Sequence, residues 1–349
     1  MNDDVKDITI IGAGPVGLTT AFWAGMREAS CRVIDSLPDI GGQLTTLYPE
    51  KWIFDVPGHP KILARDLVEN LREQAIEQFD VPVHLETTAE SIEYEGDGED
   101  RVVVLRTDTG EELRSRTVIV SGGHGAFEPK RLPLSDVDME PWEGKGAHYL
   151  VSNKDAFNGK RVVIVGGGDS AFDWVLNLLD TAEHITLVHR RDGFRAHELT
   201  VSQVQHAAQG PHVDMAIPYV VKEVVGNGAV EGVVLHHATE GEDHSFAVEC
   251  DAILLQLGFS TKLGPLKEWG FELDKNAIKV SQTMETSLER VWACGDITTF
   301  DGKIKLIATG FGEAAIAVGQ AVHAIRPDMK LQPAYSTNTG VPGAVEGQP

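Results

Sequence analysis

Three glycines near the start of the chain have the spacing G-x-G-x-x-G, at Gly12, Gly14 and Gly17. The apolar run that ends at Gly12 predicts a buried strand, and the apolar-rich segment after Gly17 predicts a helix. Between a strand and a helix, such glycines allow a tight turn, a close approach of the backbone to a pyrophosphate, and close packing of helix on strand. The helix N-terminus also presents unpaired N–H groups. We therefore predict a phosphate-binding turn, which Pro15 and Val16 complete.

An acidic residue, Asp35, stands 23 residues after Gly12, at the end of the next predicted strand. A carboxylate at this position accepts hydrogen bonds from ribose hydroxyls and repels a 2′-phosphate. The first turn is therefore predicted to bind a dinucleotide that carries no 2′-phosphate.

The same fingerprint returns 154 residues later in the range 166–171, where alanine takes the last position. The residue at the position of Asp35 is now His189, and Arg190 and Arg191 follow it. Guanidinium groups bind phosphate through bidentate, charge-assisted hydrogen bonds, so this second turn is predicted to bind NADP. The predicted NADP contacts are Gly166, Gly168, Asp169, Ser170, Ala171, His189, Arg190, Arg191 and Arg195.

Two nucleotide turns with opposite preferences suggest that electrons pass between two dinucleotides. FAD in the first site and NADPH in the second is the simplest assignment, because a nicotinamide hydride passes readily to a flavin. The fold class is predicted as α/β, with two Rossmann-like (three-layer ββα) nucleotide-binding domains, the second inserted in the first. The predicted domains are an FAD-binding domain in two parts, 1–123 and 261–349, and an NADP-binding domain, 124–260, with a C-terminal tail of loop character at 327–349.

The composition of the chain limits its partners. Its net charge of −23 over 349 residues argues against general nucleic-acid binding, which needs a basic face. No apolar run is long enough to predict a membrane span, and the polar N-terminus does not resemble a signal peptide, so a cytoplasmic location is expected. No metal site is expected. Cys31, Cys250 and Cys294 form no CxxC pair and are predicted to be buried, reduced thiols.

The two glycine motifs, the 189–191 cluster and the 293–296 segment occur in the same order in flavoprotein disulfide reductases, and the chain resembles thioredoxin reductase most closely. Those enzymes carry a cysteine pair either before the second glycine motif or after the first β-α-β unit. The corresponding stretches here, 147–153 and 41–48, contain no cysteine. Because a dithiol is needed to pass electrons to a disulfide, disulfide reductase activity is not expected.

A branch of this family without the cysteine pair, the thioredoxin-reductase-like ferredoxin–NADP reductases, is similar over the segments 41–44, 47–51, 125–127, 168–174, 189–196 and 310–314. The resemblance implies that Tyr48 stacks on the flavin. It also implies a homodimer in which an aromatic residue of the C-terminal tail, here Tyr335, covers the flavin of its own or of the partner subunit. The implied FAD contacts, together with the glycine turn, are Asp35, Gly42, Gln43, Tyr48, Ala89, Phe127, Asp296 and Ser336.

The expected activity is electron transfer between NADPH and ferredoxin or flavodoxin through bound FAD, with no catalytic side chain, because the flavin does the chemistry. His189 and His197 are expected to hold phosphate or to cap local structure. An NADPH oxidase or diaphorase that reduces quinones, free flavins or oxygen remains an alternative, as does a catalytically idle nucleotide-sensing subunit. An acidic ferredoxin would need a local basic patch, for which the candidates are Lys51, Lys61, Arg65, Lys303 and Lys305.

Overall fold

The computed structural model describes residues 5–123, 125–129, 137–149, 151 and 154–342. The chain divides into two compact units, one formed by residues 1–126 and 261–349 and the other by residues 127–260. The predicted fold class, α/β with two Rossmann-like units, is confirmed.

Seven α-helices lie in the described part of the chain: α1 (Pro15–Met26), α2 (Gln43–Leu47), α3 (Ala64–Arg72), α4 (Asp169–Leu178), α5 (Glu198–Ala207), α6 (Ile307–Ile325) and α7 (Ser336–Thr339). The strands there are β1 (Lys6–Ile11), β2 (Cys31–Ile34), β3 (Trp52–Ile53), β4 (Ile62–Leu63), β5 (Val83–His84), β6 (Ala89–Glu95), β7 (Val102–Thr107), β8 (Glu112–Val120), β9 (Ala126–Pro129), β10 (Ala147–His148), β11 (Arg161–Val165), β12 (His184–Val188), β13 (Val213–Ala216), β14 (Tyr219–Val225), β15 (Gly232–His237), β16 (Gly241–Glu249), β17 (Ala252–Leu255), β18 (Phe259–Lys262), β19 (Leu273–Asp274), β20 (Ala277–Lys279), β21 (Val291–Ala293) and β22 (Thr298–Thr299).

The first unit is built on a sheet with the strand order β5-β2-β1-β8-β7-β6, and β21 pairs with β8. The pairs on the β5, β2, β1 and β21 side are parallel, whereas β6, β7 and β8 form an antiparallel meander. Helices α1 and α6 lie against each other and against β1. The β1 side chains Ile8 and Ile10 are fully buried, which explains why this strand reads as an apolar run.

The second unit contains a parallel five-stranded sheet, β10-β17-β11-β12-β13, and an antiparallel three-stranded sheet, β14-β15-β16. Strand β11 lies between β17 and β12, and its residues Val162–Val165 are buried, as expected for a central strand with both faces covered. Helix α4 starts directly after the second glycine turn, as predicted.

The C-terminal region departs from the sequence prediction in one respect. The tail after Pro327 was predicted to be loop throughout, but Ser336–Thr339 forms the short helix α7. The last part of the predicted tail, 343–349, lies outside the described residues. Over the part of the chain that the structure describes, no helix is both long and apolar enough to cross a membrane.

Candidate dinucleotide-binding sites

The first glycine turn has the geometry that its motif predicts. Gly12 adopts φ +110°, and a Cβ atom there would lie 2.6 Å from the carbonyl oxygen of Ser121. A Cβ atom on Gly17 would lie 1.8 Å from the carbonyl oxygen of Gly12, so only glycine allows α1 to pack this closely. A Cβ atom on Gly14 would meet nothing within 4 Å. The turn is therefore closed on its inner side and open at Gly14, where a pyrophosphate can approach the helix N-terminus.

A second loop crosses the same turn. Gly42 adopts φ +56°, and a Cβ atom there would lie 3.2 Å from Cα of Gly14. The backbone N–H of Gly41 donates to the carbonyl oxygen of Ala13 at 2.9 Å, which fixes this crossing. The side-chain nitrogen of Gln43 lies 3.5 Å from the position of a Cβ atom on Gly123. The structure therefore brings the predicted residues Gly14, Gly42 and Gln43 together.

Asp35 lies at the end of β2, and its carboxylate is tied to the glycine turn. It accepts a hydrogen bond from the backbone N–H of Ala13 at 2.6 Å and one from that of Leu37 at 2.9 Å. Only 9% of Asp35 is exposed, and burial raises the pKa of the carboxyl, while these two backbone hydrogen bonds lower it. The hydrogen bonds hold the carboxylate beside the turn, where it can meet a ribose.

The segment around Asp296 joins the same site from the other end of the chain. Gly295 adopts φ +80°, and a Cβ atom there would lie 3.2 Å from the side chain of Val16. A Cβ atom on Gly310 would lie 2.4 Å from that side chain, so Val16 packs between this turn and α6. Tyr48 is partly buried, and its pKa is raised by burial and then by the charges of Asp296 and Asp55. The charge of Asp296 therefore acts on the Tyr48 hydroxyl.

Sequence reasoning missed a buried ion pair beneath this turn. Glu313 in α6 accepts a hydrogen bond from the backbone N–H of Gly295 at 2.7 Å. The ammonium of Lys303 lies 2.5 Å and 2.6 Å from the two carboxylate oxygens of Glu313, and the two side chains are only 5% and 8% exposed. The prediction that Lys303 belongs to a basic docking surface is therefore wrong. A charged residue inside the Ala- and Gly-rich α6 was the available signal.

The remaining predicted FAD contacts differ in their placement. Ala89 is buried at the start of β6, and the backbone N–H of the nearby Thr87 donates to the carbonyl oxygen of Asp35 at 2.8 Å. Ala89 therefore stands two residues after a residue that is hydrogen-bonded to Asp35 at the end of β2. Phe127 lies in β9, and its side chain lies outside the described residues.

The C-terminal tail is fastened at the far end of α1 from the glycine turn. The buried guanidinium of Arg27 donates to the carbonyl oxygens of Lys330 and Leu331, at 2.8 Å each. Beyond this point Tyr335, which is 71% exposed, and Ser336 line a cavity of about 700 Å³ beside Trp23 and its neighbours on α1. The structure therefore does not bring Tyr335 and Ser336 to the glycine turn of their own chain.

The second glycine turn repeats the geometry of the first. A Cβ atom on Gly166 would lie 2.4 Å from the carbonyl oxygen of Gln256, whereas one on Gly168 would meet nothing within 4 Å. Ala171 is fully buried, and Ser170 in the first turn of α4 is exposed. This turn, too, is open to a pyrophosphate at the N-terminus of a helix.

His189 supports the second turn from below. A Cβ atom on Gly167 would lie 2.2 Å from the His189 ring, and Nε2 of this ring lies 3.2 Å from the carbonyl oxygen of Gly193. The pKa of His189 is lowered by burial and by the charges of Arg190 and Arg191, against the opposing effect of the Gly193 hydrogen bond. The neutral ring therefore shapes the loop.

Two other predicted residues are used for local structure. The carboxylate of Asp169 accepts the backbone N–H of His197 at 2.8 Å, which ties the start of α4 to the start of α5. His197 in turn caps α5, because its Nδ1 accepts the backbone N–H of Leu199 at 3.3 Å. His197 therefore has the capping role that was one of its two expected roles.

Three guanidinium groups border the second turn without a partner in the described part of the chain. Arg190, Arg191 and Arg195 are exposed, and the backbone N–H of Arg195 donates to the carbonyl oxygen of Gly167 at 2.8 Å. By contrast, arginines such as Arg106 form ion pairs in this acidic chain. Guanidinium groups bind phosphate through charge-assisted hydrogen bonds, so these three are suited to a second phosphate beside the turn.

Two Rossmann-like units, each with a glycine turn, define the class of oxidoreductases that bind two dinucleotides. The sequence profile of the family described as pyridine nucleotide-disulphide oxidoreductase matches residues 6–321. The chain belongs to this family.

Named relatives make the similarity more specific. The chain is 47% identical over 344 residues to the ferredoxin–NADP reductase of Thermus thermophilus, with 98% of this chain and 100% of the relative covered. It is 46% identical over 341 residues to ferredoxin–NADP reductase 2 of Bacillus subtilis, with 97% and 98% covered.

Solved structures support the fold alone. The thioredoxin reductase of Lactococcus lactis matches with a TM-score of 0.72 at 22% identity, covering 92% of this chain and 99% of that chain. The thioredoxin reductase of T. acidophilum matches with a TM-score of 0.72 at 23% identity, covering 93% and 99%.

Proposed function

We propose that this protein is a ferredoxin–NADP reductase, which passes electrons between NADPH and ferredoxin or flavodoxin through bound FAD. The observation that carries the proposal is the similarity of nearly the whole chain to relatives of that name, at up to 47% identity. The two turns support it, because a buried carboxylate borders one and unpaired guanidinium groups border the other. We assign FAD to the first unit and NADP to the second.

The residues present fit both cofactors, since the turns are open at Gly14 and Gly168. When bound, FAD would supply the exchange between a two-electron hydride donor, NADPH, and one-electron carriers. The chain's own residues would bind and orient the cofactor: Asp35 would accept hydrogen bonds from the ribose, Tyr48 would cover the flavin ring, and Asp296 would lie beside it. Arg190, Arg191 and Arg195 hold the 2′-phosphate.

An anaerobic assay tests this function. We expect the purified protein to be yellow, to bleach with NADPH, and to reduce ferredoxin or flavodoxin from the same cell. Denaturation should release FAD and not FMN. Bleaching without transfer to either carrier would favour the oxidase or diaphorase alternative, and a protein that binds NADPH without bleaching would favour the idle nucleotide-sensing subunit.

The cysteines are expected to take no part in this reaction. Cys31, Cys250 and Cys294 are buried, and burial raises the pKa of each thiol to about 12. Thiols with so high a pKa are not thiolates at neutral pH, so they neither attack a disulfide nor react with a thiol reagent in the folded protein. These buried, unpaired thiols also fit the cytoplasmic location that we propose.

We predict that changing all three cysteines to alanine leaves NADPH-to-ferredoxin turnover within about twofold of that of the unchanged protein. The reason is that all three thiols are protonated at neutral pH, so none can take part as a thiolate. The measurement is steady-state ferredoxin reduction by the FAD-loaded variant. Its circular dichroism spectrum controls for folding. Loss of turnover in a folded, flavin-loaded triple variant would contradict a reaction without cysteines.

We propose a homodimer in which Tyr335 covers the flavin of the partner subunit. Two observations support it: Tyr335 is 71% exposed, and it lies at the far end of α1 from the glycine turn of its own chain. Ser336 follows it and would reach the same flavin. Light scattering of the FAD-loaded protein tests the dimer directly.

We predict that truncation after Pro333 leaves FAD bound and NADPH affinity nearly unchanged but accelerates the reaction of reduced flavin with oxygen. A stacked ring contributes only about 0.5–1.5 kcal/mol beyond its burial, too little to hold FAD but enough to restrict access to the ring. The measurement is NADPH-dependent oxygen consumption. Equal rates with oxygen, quinone and ferredoxin before and after truncation would show that the tail has no such role.

A further inference from the structure

Strands β3 and β4 form a short hairpin that is firmly attached to the first unit. Trp52 pairs with Leu63 and Ile53 with Ile62 in antiparallel register. The backbone N–H of Ala64 donates to the carbonyl oxygen of Lys51 at 2.9 Å, which closes the base. Ile62 and the loop residue Val56 are buried in the core. The hairpin, residues 51–63, therefore has a fixed inner face.

The outer face of the hairpin exposes two large aromatic side chains. Trp52 is 48% exposed and Phe54 69%, whereas Ile53 between them points inward, as the two-residue period of a strand requires. Among the large apolar side chains that the structure describes, only Tyr335 is more exposed than Phe54. Neighbouring exposed aromatics of this kind mark contact surfaces.

The charge of the hairpin is opposite to that of the whole chain. It carries Lys51 and Lys61 against a single acid, Asp55, while the chain as a whole has a net charge of −23. The ammonium of Lys61 lies 4.4 Å from the centroid of the Trp52 ring, so the cation borders the aromatic surface. Aromatic anchors with a basic rim suit an acidic protein partner.

The hairpin also adjoins the proposed flavin site. The ammonium of Lys51, at its base, lies 5.7 Å from the ring centroid of Tyr48. Tyr48 is one of the residues proposed to cover the flavin, and the charge of Asp296 raises its pKa after the larger effect of burial. A protein bound on the outer face would therefore lie beside the residues proposed to hold the flavin, which is where a one-electron carrier has to come.

We propose that the hairpin 51–63 is the docking surface for the acidic electron-carrier protein, with Trp52 and Phe54 as anchors and Lys61 as a steering charge. This inference rests on the proposed function. It leaves out two of the basic docking candidates, because Lys303 is buried against Glu313 and Arg65 forms an ion pair with Glu50 at 2.6 Å.

The test compares Phe54→Ser, Trp52→Ala/Phe54→Ala and Lys61→Glu with two controls on exposed side chains elsewhere, Phe246→Ala and Lys279→Glu. We expect KM for ferredoxin to rise at least tenfold in the hairpin variants and to stay within twofold in the controls. NADPH oxidation with ferricyanide, a small acceptor that needs no docking, should be unchanged in all of them. Lys61→Glu should also weaken the dependence of KM on salt.

Each outcome decides between the hypotheses. If the unchanged protein reduces ferredoxin and the hairpin variants have the same KM for it, the proposed docking surface is wrong and the proposed function stands. An unchanged protein that reduces neither ferredoxin nor flavodoxin would overturn both. A hairpin variant that converts a dimer to a monomer would show that a second copy of the chain covers this face, again overturning the proposal. Phe54→Ser changes the more exposed of the two hairpin aromatic side chains, so it tests docking even if the double variant fails to fold.

Discussion

Changing Arg190 and Arg191 to alanine together is expected to abolish the preference for NADPH over NADH. Each guanidinium that contacts the 2′-phosphate contributes on the order of 1.5–3 kcal/mol, or roughly ten- to hundredfold in affinity. NADH has no such phosphate, so its binding should change little. The NADPH/NADH ratio of kcat/KM should therefore fall by a factor on the order of 100 or more.

The control for this prediction is Arg106→Ala, which removes an exposed arginine from an ion-pair network in the first unit. Its nucleotide preference should equal that of the unchanged protein. If the double variant of Arg190 and Arg191 retains the preference, the guanidinium groups do not read the 2′-phosphate, and the correspondence between His189–Arg191 and Asp35 has no functional meaning.

Changing Glu313 to glutamine, or Lys303 to methionine, is expected to cause the largest loss of stability. Either change leaves an uncompensated charge in a site where both side chains are at least nine-tenths buried, which costs about 3–5 kcal/mol of the free energy of unfolding. The Gly295–Asp296 turn depends on this pair through the hydrogen bond from Gly295 to Glu313. We therefore expect weaker FAD binding as well, measured by flavin fluorescence during urea titration.

A matched control is Lys279→Met, which breaks an exposed pair with Glu272 and should cost no more than about 1 kcal/mol. Changing Lys303 to methionine and Glu313 to leucine together removes both buried charges, so it should recover much of the stability. Its FAD affinity should stay low, because the N–H of Gly295 has lost its acceptor. Normal FAD affinity in that double variant would show that the pair stabilises the fold without positioning the turn.

Both nucleotide turns could be predicted from sequence because their requirements are local. Gly12 adopts a φ of +110°, Gly17 packs on the carbonyl group of Gly12 in the same turn, and the position of Asp35 follows from the length of one β-α-β unit. These constraints act within one short segment, so residue type and spacing express them directly.

The parts that sequence did not predict depend on distant partners. The sequence suggests that Lys303 is an exposed cation, whereas in the structure α6 places Glu313 beside it. No sequence spacing relates this pair to Gly295, whose backbone N–H donates to Glu313. The sequence suggests that His189 is a phosphate ligand, whereas in the structure its ring packs against Gly167. In each case tertiary packing determines what the side chain contacts, and one sequence carries little trace of that packing.

The hydrogen bonds from Arg27 to the tail limit how far Tyr335 can move from the end of α1. Tyr335 is four residues beyond Leu331, and an extended chain covers about 3.3–3.6 Å per residue, so its Cα stays within roughly 14 Å of that fixed point. Helix α1 separates Arg27 from the glycine turn by about 20 Å at 1.5 Å per residue. While these bonds hold, Tyr335 samples a small volume at one end of α1, away from the glycine turn of its own chain. Insertion of a few residues between Leu331 and Tyr335 would enlarge that volume without altering either binding site.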